Sequence, residues 1–264
     1  MIKCCSLYSG SSGNAIFVGN DDTKILIDAG VSGKRIEQGL NSIGVSLTEI
    51  DAIMVSHEHS DHICSVGYLS KKYDIPVYAS ELTWNGMEDQ SAKIAPDNRI
   101  TFRPDCWFEI GNLDVLPFRI PHDASEPCGF SVFGNNKKVT VATDIGHMTN
   151  YLIKNMESSD LLLIESNHDI EMLKCGRYPW HLKKRILGDN GHLCNEVAAK
   201  TIAHLVKSGM KRFLLGHLST ENNFPELALQ TVTNALGEIG VRTGEEIFLE
   251  VAPRNTNSKV LELI

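Results

Sequence analysis

A four-layer αββα sandwich of the α/β class is the fold this sequence predicts, on three observations. Strand-like and helix-like segments alternate along all 264 residues. They fall into two halves of similar texture, each a β-meander with helices, and two such halves bury their sheets against each other under outer helices. No Pro/Ser-rich linker, low-complexity tract or short-period repeat interrupts the chain, so residues 1–264 are expected to form one domain.

The elements follow in order. "KCCSLYSG", "NAIFVGN" and "TKILIDAG" are short strands separated by Gly, Asn and Asp turns. "GKRIEQGLNSIG" has helical spacing and stops at Gly44. "IDAIMVS" is a buried strand, "HICSVGYLSKKYD" a helix and "IPVYAS" another strand. In the second half "LDVLPFRIPH", "CGFSVFG" and "KVTVATD" are strands and "MTNYLIKNME" a helix. "DLLLIESN" and "MKRFLLGHLS" are strands that alternate with the helices "NEVAAKTIAHLVKSG" and "FPELALQTVTNALGEIG".

Composition narrows the class. No run of 18 apolar residues is present, so no membrane span is expected, and the start lacks the basic and apolar regions of a signal peptide. The seven cysteines are scattered without a CxxC pair, as in reduced thiols of a cytoplasmic protein. A formal charge of −8 argues against a generally basic nucleic-acid surface, although bound cations would dominate the field locally.

The stretch "VSHEHSDHI" places His57, His59, Asp61 and His62 within six residues, directly after an apolar strand. Nothing structural requires that crowding, and three imidazoles with a carboxylate are costly when buried unpaired. His122, Asp144 and His217 likewise each stand at the end of an apolar strand. Strands of one sheet deliver their ends to one edge, so such positions converge. Mixed imidazole and carboxylate ligands suit Zn, Mn or Fe, and seven of them suit two divalent ions sharing a carboxylate, with positions left open for water and substrate.

These residues resemble the metallo-β-lactamase superfamily, and the order of elements matches its αββα fold. The resemblance implies that His57, His59 and His122 hold a first ion, that Asp61, His62 and His217 hold a second, and that Asp144 bridges them. An Asp at the bridging position resembles the glyoxalase, lactonase and nuclease branches rather than the enzymes that open β-lactams. "LYSGSSGNAIFV", "LIDAG", "ESNHD", "RYPWHLKKRILGDNGHLCNE" and "LLGHLSTENN" are similar to the YycJ (WalJ) family over nearly the full length, with Cys194 in place of that family's usual serine. That resemblance implies 5′→3′ DNA exonuclease activity. The sixty or so residues between His62 and His122 leave no room for the inserted domain of RNase J-like enzymes, and no Gly/Pro-rich arm like that of tRNase Z stands out.

The expected function is therefore a dinuclear phosphodiesterase acting on DNA ends, preferentially 5′-phosphorylated ones, through a hydroxide between the two ions. Asp61 would orient the nucleophile, and His192 or, less directly, His168 would contact phosphate or protonate the leaving oxygen. Residues 171–188 carry five Lys/Arg against one Glu with Tyr178 and Trp180 interleaved, a pattern suited to phosphate contact and base stacking, so Lys183, Lys184 and Arg185 are candidate substrate residues. The same pattern also suits a solvated amphipathic helix. Ser11 and Asn14, in the loop "SGSSGN", are candidates for lining the site, although that loop reads first as a tight hairpin. The rival readings are a small-molecule hydrolase of the same fold, acting on a cyclic phosphodiester, thioester or lactone, and a non-catalytic metal-binding module.

Overall fold

The structure, a computed structural model, describes residues 1–264. Its strands are β1 (Ile2–Tyr8), β2 (Ala15–Gly19), β3 (Lys24–Ile27), β4 (Ala52–Met54), β5 (Val77–Ser80), β6 (Arg99–Phe102), β7 (Phe108–Ile110), β8 (Leu113–Arg119), β9 (Cys128–Gly134), β10 (Lys137–Ala142), β11 (Leu161–Glu165), β12 (Arg212–Gly216), β13 (Phe248–Val251) and β14 (Leu261–Leu263). Its helices are α1 (Gly33–Ser42), α2 (Ser60–Ile63), α3 (Val66–Tyr73), α4 (Glu81–Gly86), α5 (Glu88–Ser91), α6 (Asn150–Met156), α7 (Ile170–Cys175), α8 (Trp180–Ile186), α9 (Asn195–Lys207) and α10 (Pro225–Glu238).

The chain divides into two compact units, one of residues 1–119, 124–137 and 253–264, the other of residues 120–123 and 138–252. In the first, seven strands lie in the order β14-β1-β2-β3-β4-β5-β6. The β14, β1, β2 and β3 pairings are antiparallel, and β3 to β6 are parallel. β7, β8 and β9 form an antiparallel meander. Leu7, Phe17, Leu26 and Ile53 from the sheet join Ile36 and Leu40 of α1 and Leu69 of α3 in one buried cluster. Burying the Ile36 and Leu40 side chains stabilises the α1 contact by about 2–3 kcal/mol each. In the second unit β10, β11, β12 and β13 are parallel, and α9 packs on α10.

Parallel strands point their carboxyl ends to one edge, which decides where polar side chains accumulate. In the first unit Asp28 follows β3, and the His57–His62 segment follows β4. In the second, Asp144 follows β10, Glu165 ends β11, and His217 follows β12.

Three local departures from the sequence reading have physical causes. The helix expected over 62–74 breaks into α2 and α3, because Ala29 N takes the His62 carbonyl at 2.8 Å and Ser65 N donates to the Ala29 carbonyl at 2.9 Å. Residues 171–188 form two helices, α7 and α8, separated by Gly176 and Pro179, which end one helix and start the next. β13 and β14 lie beyond the last predicted element; they are short and mostly half-exposed, which leaves little alternation to read. The loop 9–14 joins antiparallel β1 and β2 as the Gly/Ser/Asn composition predicts, with Gly13 N donating to the Gly10 carbonyl.

Candidate metal centre

The first unit builds a cluster from residues 55–62, backed by the segments that carry Asp28 and Asn14. Val55 and Ser56 carry the chain out of β4 into His57, His59 is the N-cap of α2, and Asp61 and His62 lie in that helix. His57 Nε2 is 3.0 Å from His59 Nδ1, and the His57 and His62 rings are 4.1 Å apart. His62 Nε2 is 3.5 Å from Asp61 Oδ2. Both His57 and His62 are fully buried.

Asp28, which sequence reasoning missed, orients this cluster. Its buried carboxylate accepts from Ser56 N through Oδ1 and from Ser56 Oγ through Oδ2, both at 2.8 Å. His62 Nδ1 donates to Oδ2 at 2.7 Å, so His62 Nε2 carries the ring's lone pair. Asn14 faces that nitrogen, with Nδ2 3.1 Å from His62 Nε2, while its Oδ1 accepts from Gly10 N. Ser11 is exposed on the hairpin and lines a cleft of about 740 Å³ beside Asp61. Glu58, Glu88 and Asp89 also line that cleft, which carries no Lys or Arg.

The second unit gathers a second set. Asp144 is buried; its Oδ2 is 3.0 Å from His217 Nδ1, and its Oδ1 is 3.7 Å from His122 Nε2 and from His192 Nδ1. His122 Nδ1 donates to the Gly191 carbonyl at 3.0 Å, so Nε2 is the nitrogen that could bind a metal. Burial holds the His122 pKa below the ordinary range, against the pull of Asp144, so the ring is in the neutral form a metal needs. Asp144, Glu165, His192 and His217 each offer a ligand atom, all within 4.8 Å of one another.

Glu165, also missed from the sequence, is fully buried and holds His192. Its Oε2 accepts from Ile145 N at 2.7 Å and Leu193 N at 3.0 Å, and its Oε1 receives His192 Nδ1 at 2.8 Å. That contact fixes the orientation of the His192 ring. The signal for Asp28 and Glu165 was present, since each is a carboxylate at a strand end, in "LIDAG" and "ESNHD". Neither sits in a dense cluster, so only strand pairing reveals them.

Backbone conformation marks the same positions. Asp28, Asp144 and His217 have φ of 62°, 62° and 54°. A left-handed backbone is costly for residues with a Cβ, and such outliers concentrate at sites the surrounding structure over-determines. Buried imidazoles and carboxylates in both clusters would be expensive as bare groups and fit divalent cations.

The remaining candidates separate. His168 is buried with neither ring nitrogen hydrogen-bonded, and its burial, opposed by Glu165, lowers its pKa to about 4. At neutral pH it carries no proton to donate as an imidazolium. Lys183 corrects its sequence reading: the side chain turns inward and Nζ donates to the Lys174 and Gly176 carbonyls at 2.7 and 2.6 Å, closing the α7–α8 turn. Arg185 pairs through two nitrogens with Asp123, and Lys184 is exposed.

His168 makes a pH prediction. Its folded-state pKa lies below the unfolded value, so the unfolded chain takes up the proton first as pH falls. The stability held above about pH 6.5 is lost progressively toward pH 4, by roughly 2–3 kcal/mol at about pH 4.5. Urea unfolding at neutral and acid pH is expected to show that loss in the parent and less of it in His168→Gln; equal losses in both would refute the assignment.

The comparisons with known proteins agree with this geometry. The β-lactamase superfamily domain matches residues 23–218. Exodeoxyribonuclease YycJ of Bacillus anthracis is 42% identical over 239 residues, 90% of each chain. Exodeoxyribonuclease WalJ of Streptococcus pneumoniae is 37% identical over 263 residues, 99% of this chain and 98% of that one. Among solved structures, the metallo-β-lactamase fold protein YhfI of Bacillus subtilis superposes with a TM-score of 0.71 at 16% identity, covering 97% of this chain and 98% of that one. That likeness shows the fold, the α/β class expected from the sequence. With its strand-end His and Asp clusters, the chain belongs to the YycJ/WalJ family of the metallo-β-lactamase superfamily and is a hydrolase of that fold.

Proposed function

We propose that the protein is a phosphodiesterase that degrades DNA from an end in the 5′→3′ direction, using two divalent ions. The observation that carries this reading is the intact ligand set, His57, His59, Asp61, His62, His122, Asp144 and His217, in a chain matched to exodeoxyribonucleases over 90–99% of its length. Zn, Mn and Fe all accept these ligands. When bound, the ions supply Lewis acidity at the phosphate and lower the pKa of the attacking water.

The chain's own groups do the rest. Asp28 and the Gly191 carbonyl fix the tautomers of His62 and His122. Asp61 orients the attacking water by accepting its hydrogen bond. As the water oxygen bonds to phosphorus and releases a proton to solvent, the far P–O bond breaks and the leaving oxygen takes a proton from His192 Nε2. Glu165 holds that ring through Nδ1. Proton donation falls to His192 rather than His168, because His168 is neutral and buried.

No helix is long and apolar enough to cross a membrane. All seven thiols are free, which fits a reducing, cytoplasmic compartment. We also read the chain as one domain, since the first unit takes β14 from residues that follow the second unit in sequence. A single thermal unfolding transition is the expected outcome of that reading.

A second reading is favoured by one observation, the acidic lining of the cleft beside Asp61, which suits a small substrate better than a run of phosphates. End-labelled single- and double-stranded DNA and RNA, incubated with Mn or Zn and with His59→Ala as control, separate the two. The nuclease reading expects salt-sensitive release of labelled product from DNA, faster from 5′-phosphorylated ends and lost in the variant. Turnover of small esters alone would replace it with the small-molecule hydrolase.

A further inference from the structure

The α8 segment presents a tryptophan that neither the metal chemistry nor the core accounts for. Trp180, the first residue of α8, is 61% exposed. Trp107, exposed to a similar degree, packs its ring on Phe133 at 4.9 Å. Trp180 has no aromatic ring packed on it in this way; the Lys184 ammonium lies over its ring, 5.9 Å from the centroid. A large apolar ring left in water beside a cation is costly unless something covers it.

The platform beneath it is rigid. Lys183 ties α8 to the end of α7 through two carbonyls, and Ile186 buries its side chain. Arg185 clamps Asp123, the neighbour of His122, and the Ile186 carbonyl accepts from His192 N at 3.0 Å. The ring is therefore held on the element whose last turn fixes the loop carrying His192. Within four residues of it in sequence Arg177, His181 and Lys184 are exposed, and no carboxylate pairs with Arg177 or Lys184. Flat π surface flanked by unpaired cations is what a base face with its adjoining phosphate requires.

We infer that Trp180 is a stacking platform for an exposed nucleobase at a DNA terminus, with Lys184 and Arg177 set for the neighbouring phosphates. This rests on the DNA-end reading and deepens it. An internal duplex base pair shows no free face, so the platform selects either an unpaired strand or the last pair of a duplex end. Those two sources share one chemistry and are separable by experiment.

The test measures dissociation constants by fluorescence anisotropy, with 3′-labelled single-stranded oligonucleotide, labelled blunt duplex and labelled closed duplex circle. The protein is the full chain, as parent, Trp180→Ala and Trp180→Phe. Stacking of one base is worth about tenfold in affinity. Trp180→Ala is expected to weaken binding by about that factor for the single strand, the blunt duplex or both, with Trp180→Phe restoring most of it and the closed circle unaffected. A change in the single strand alone names the unpaired strand as the ligand, and a change in the blunt duplex alone names the terminal pair. Equal effects on all three DNAs, or none on any, would overturn the inference. If the parent binds and degrades DNA while Trp180→Ala is unchanged, the platform fails and the nuclease stands; if the parent neither binds nor degrades any DNA, the nuclease reading fails first. Because Trp180 is exposed, the melting temperature of both variants should match the parent.

Discussion

Asp144→Asn is expected to lower DNA hydrolysis by about a thousandfold and to strip most of the bound metal, while leaving the fold intact. Asp144 is buried, and its two oxygens lie 3.0 Å from His217, 3.7 Å from His122 and 3.7 Å from His192. Asn has the same shape and tolerates the left-handed backbone that Asp144 adopts at φ 62°, so the strand end should survive. What is lost is the negative charge that lets a cation sit beside these imidazoles. Metal content by elemental analysis and single-turnover cleavage of end-labelled DNA measure the two effects. A variant with both values within threefold of the parent would remove Asp144 from the ligand set.

The second large effect is structural in origin. A Cβ added at Gly30 would lie 1.6 Å from the Asp61 carbonyl oxygen and 2.8 Å from Asn14 N, both backbone atoms without a flexible tip to swing away. Three segments are knotted there: Gly30 N donates to the Asn14 carbonyl, Asn14 N to the Asp61 carbonyl, and Ala29 N to the His62 carbonyl, each at 2.8 Å. Gly30→Ala must push α2, with Asp61 and His62, off the end of β3. The expected cost is roughly 3–5 kcal/mol, a fall in melting temperature of about 10 °C, with cleavage by the surviving folded protein reduced about a hundredfold. Gly237→Ala is the control: nothing lies within 4 Å of its added Cβ in α10, and removing a helix glycine should stabilise slightly. Equal melting temperatures for Gly30→Ala and the parent would mean that the approach of the backbones is looser than described.

The same backbone knot explains why some of the site was legible and some was not. "HxHxDH" announces itself because four ligand-type side chains lie within one loop and one helical turn, and a local pattern survives translation into one dimension. Asp28 and Glu165 do not announce themselves. Each is a lone carboxylate after an apolar strand, and its partner, His62 or His192, is 34 or 27 residues away. Lys183 was misplaced for the opposite reason. A KKR triplet shows charge but not direction, and in α8 the first lysine of the triplet, Lys183, points its ammonium at the Lys174 and Gly176 carbonyls rather than at solvent.

Residue chemistry alone determined the α/β class, the metal-ligand types and their position at strand ends, because apolar periodicity and the identity of imidazole and carboxylate are properties of the chain itself. Only the tertiary structure decided which carboxylates orient which rings, that His168 is sealed away and neutral, that Lys183 faces inward, and that Trp180 stands uncovered. Those outcomes depend on parallel strands bringing distant ends to one edge and on which face of a short helix the packing leaves in water, and neither is written in any local run of residues.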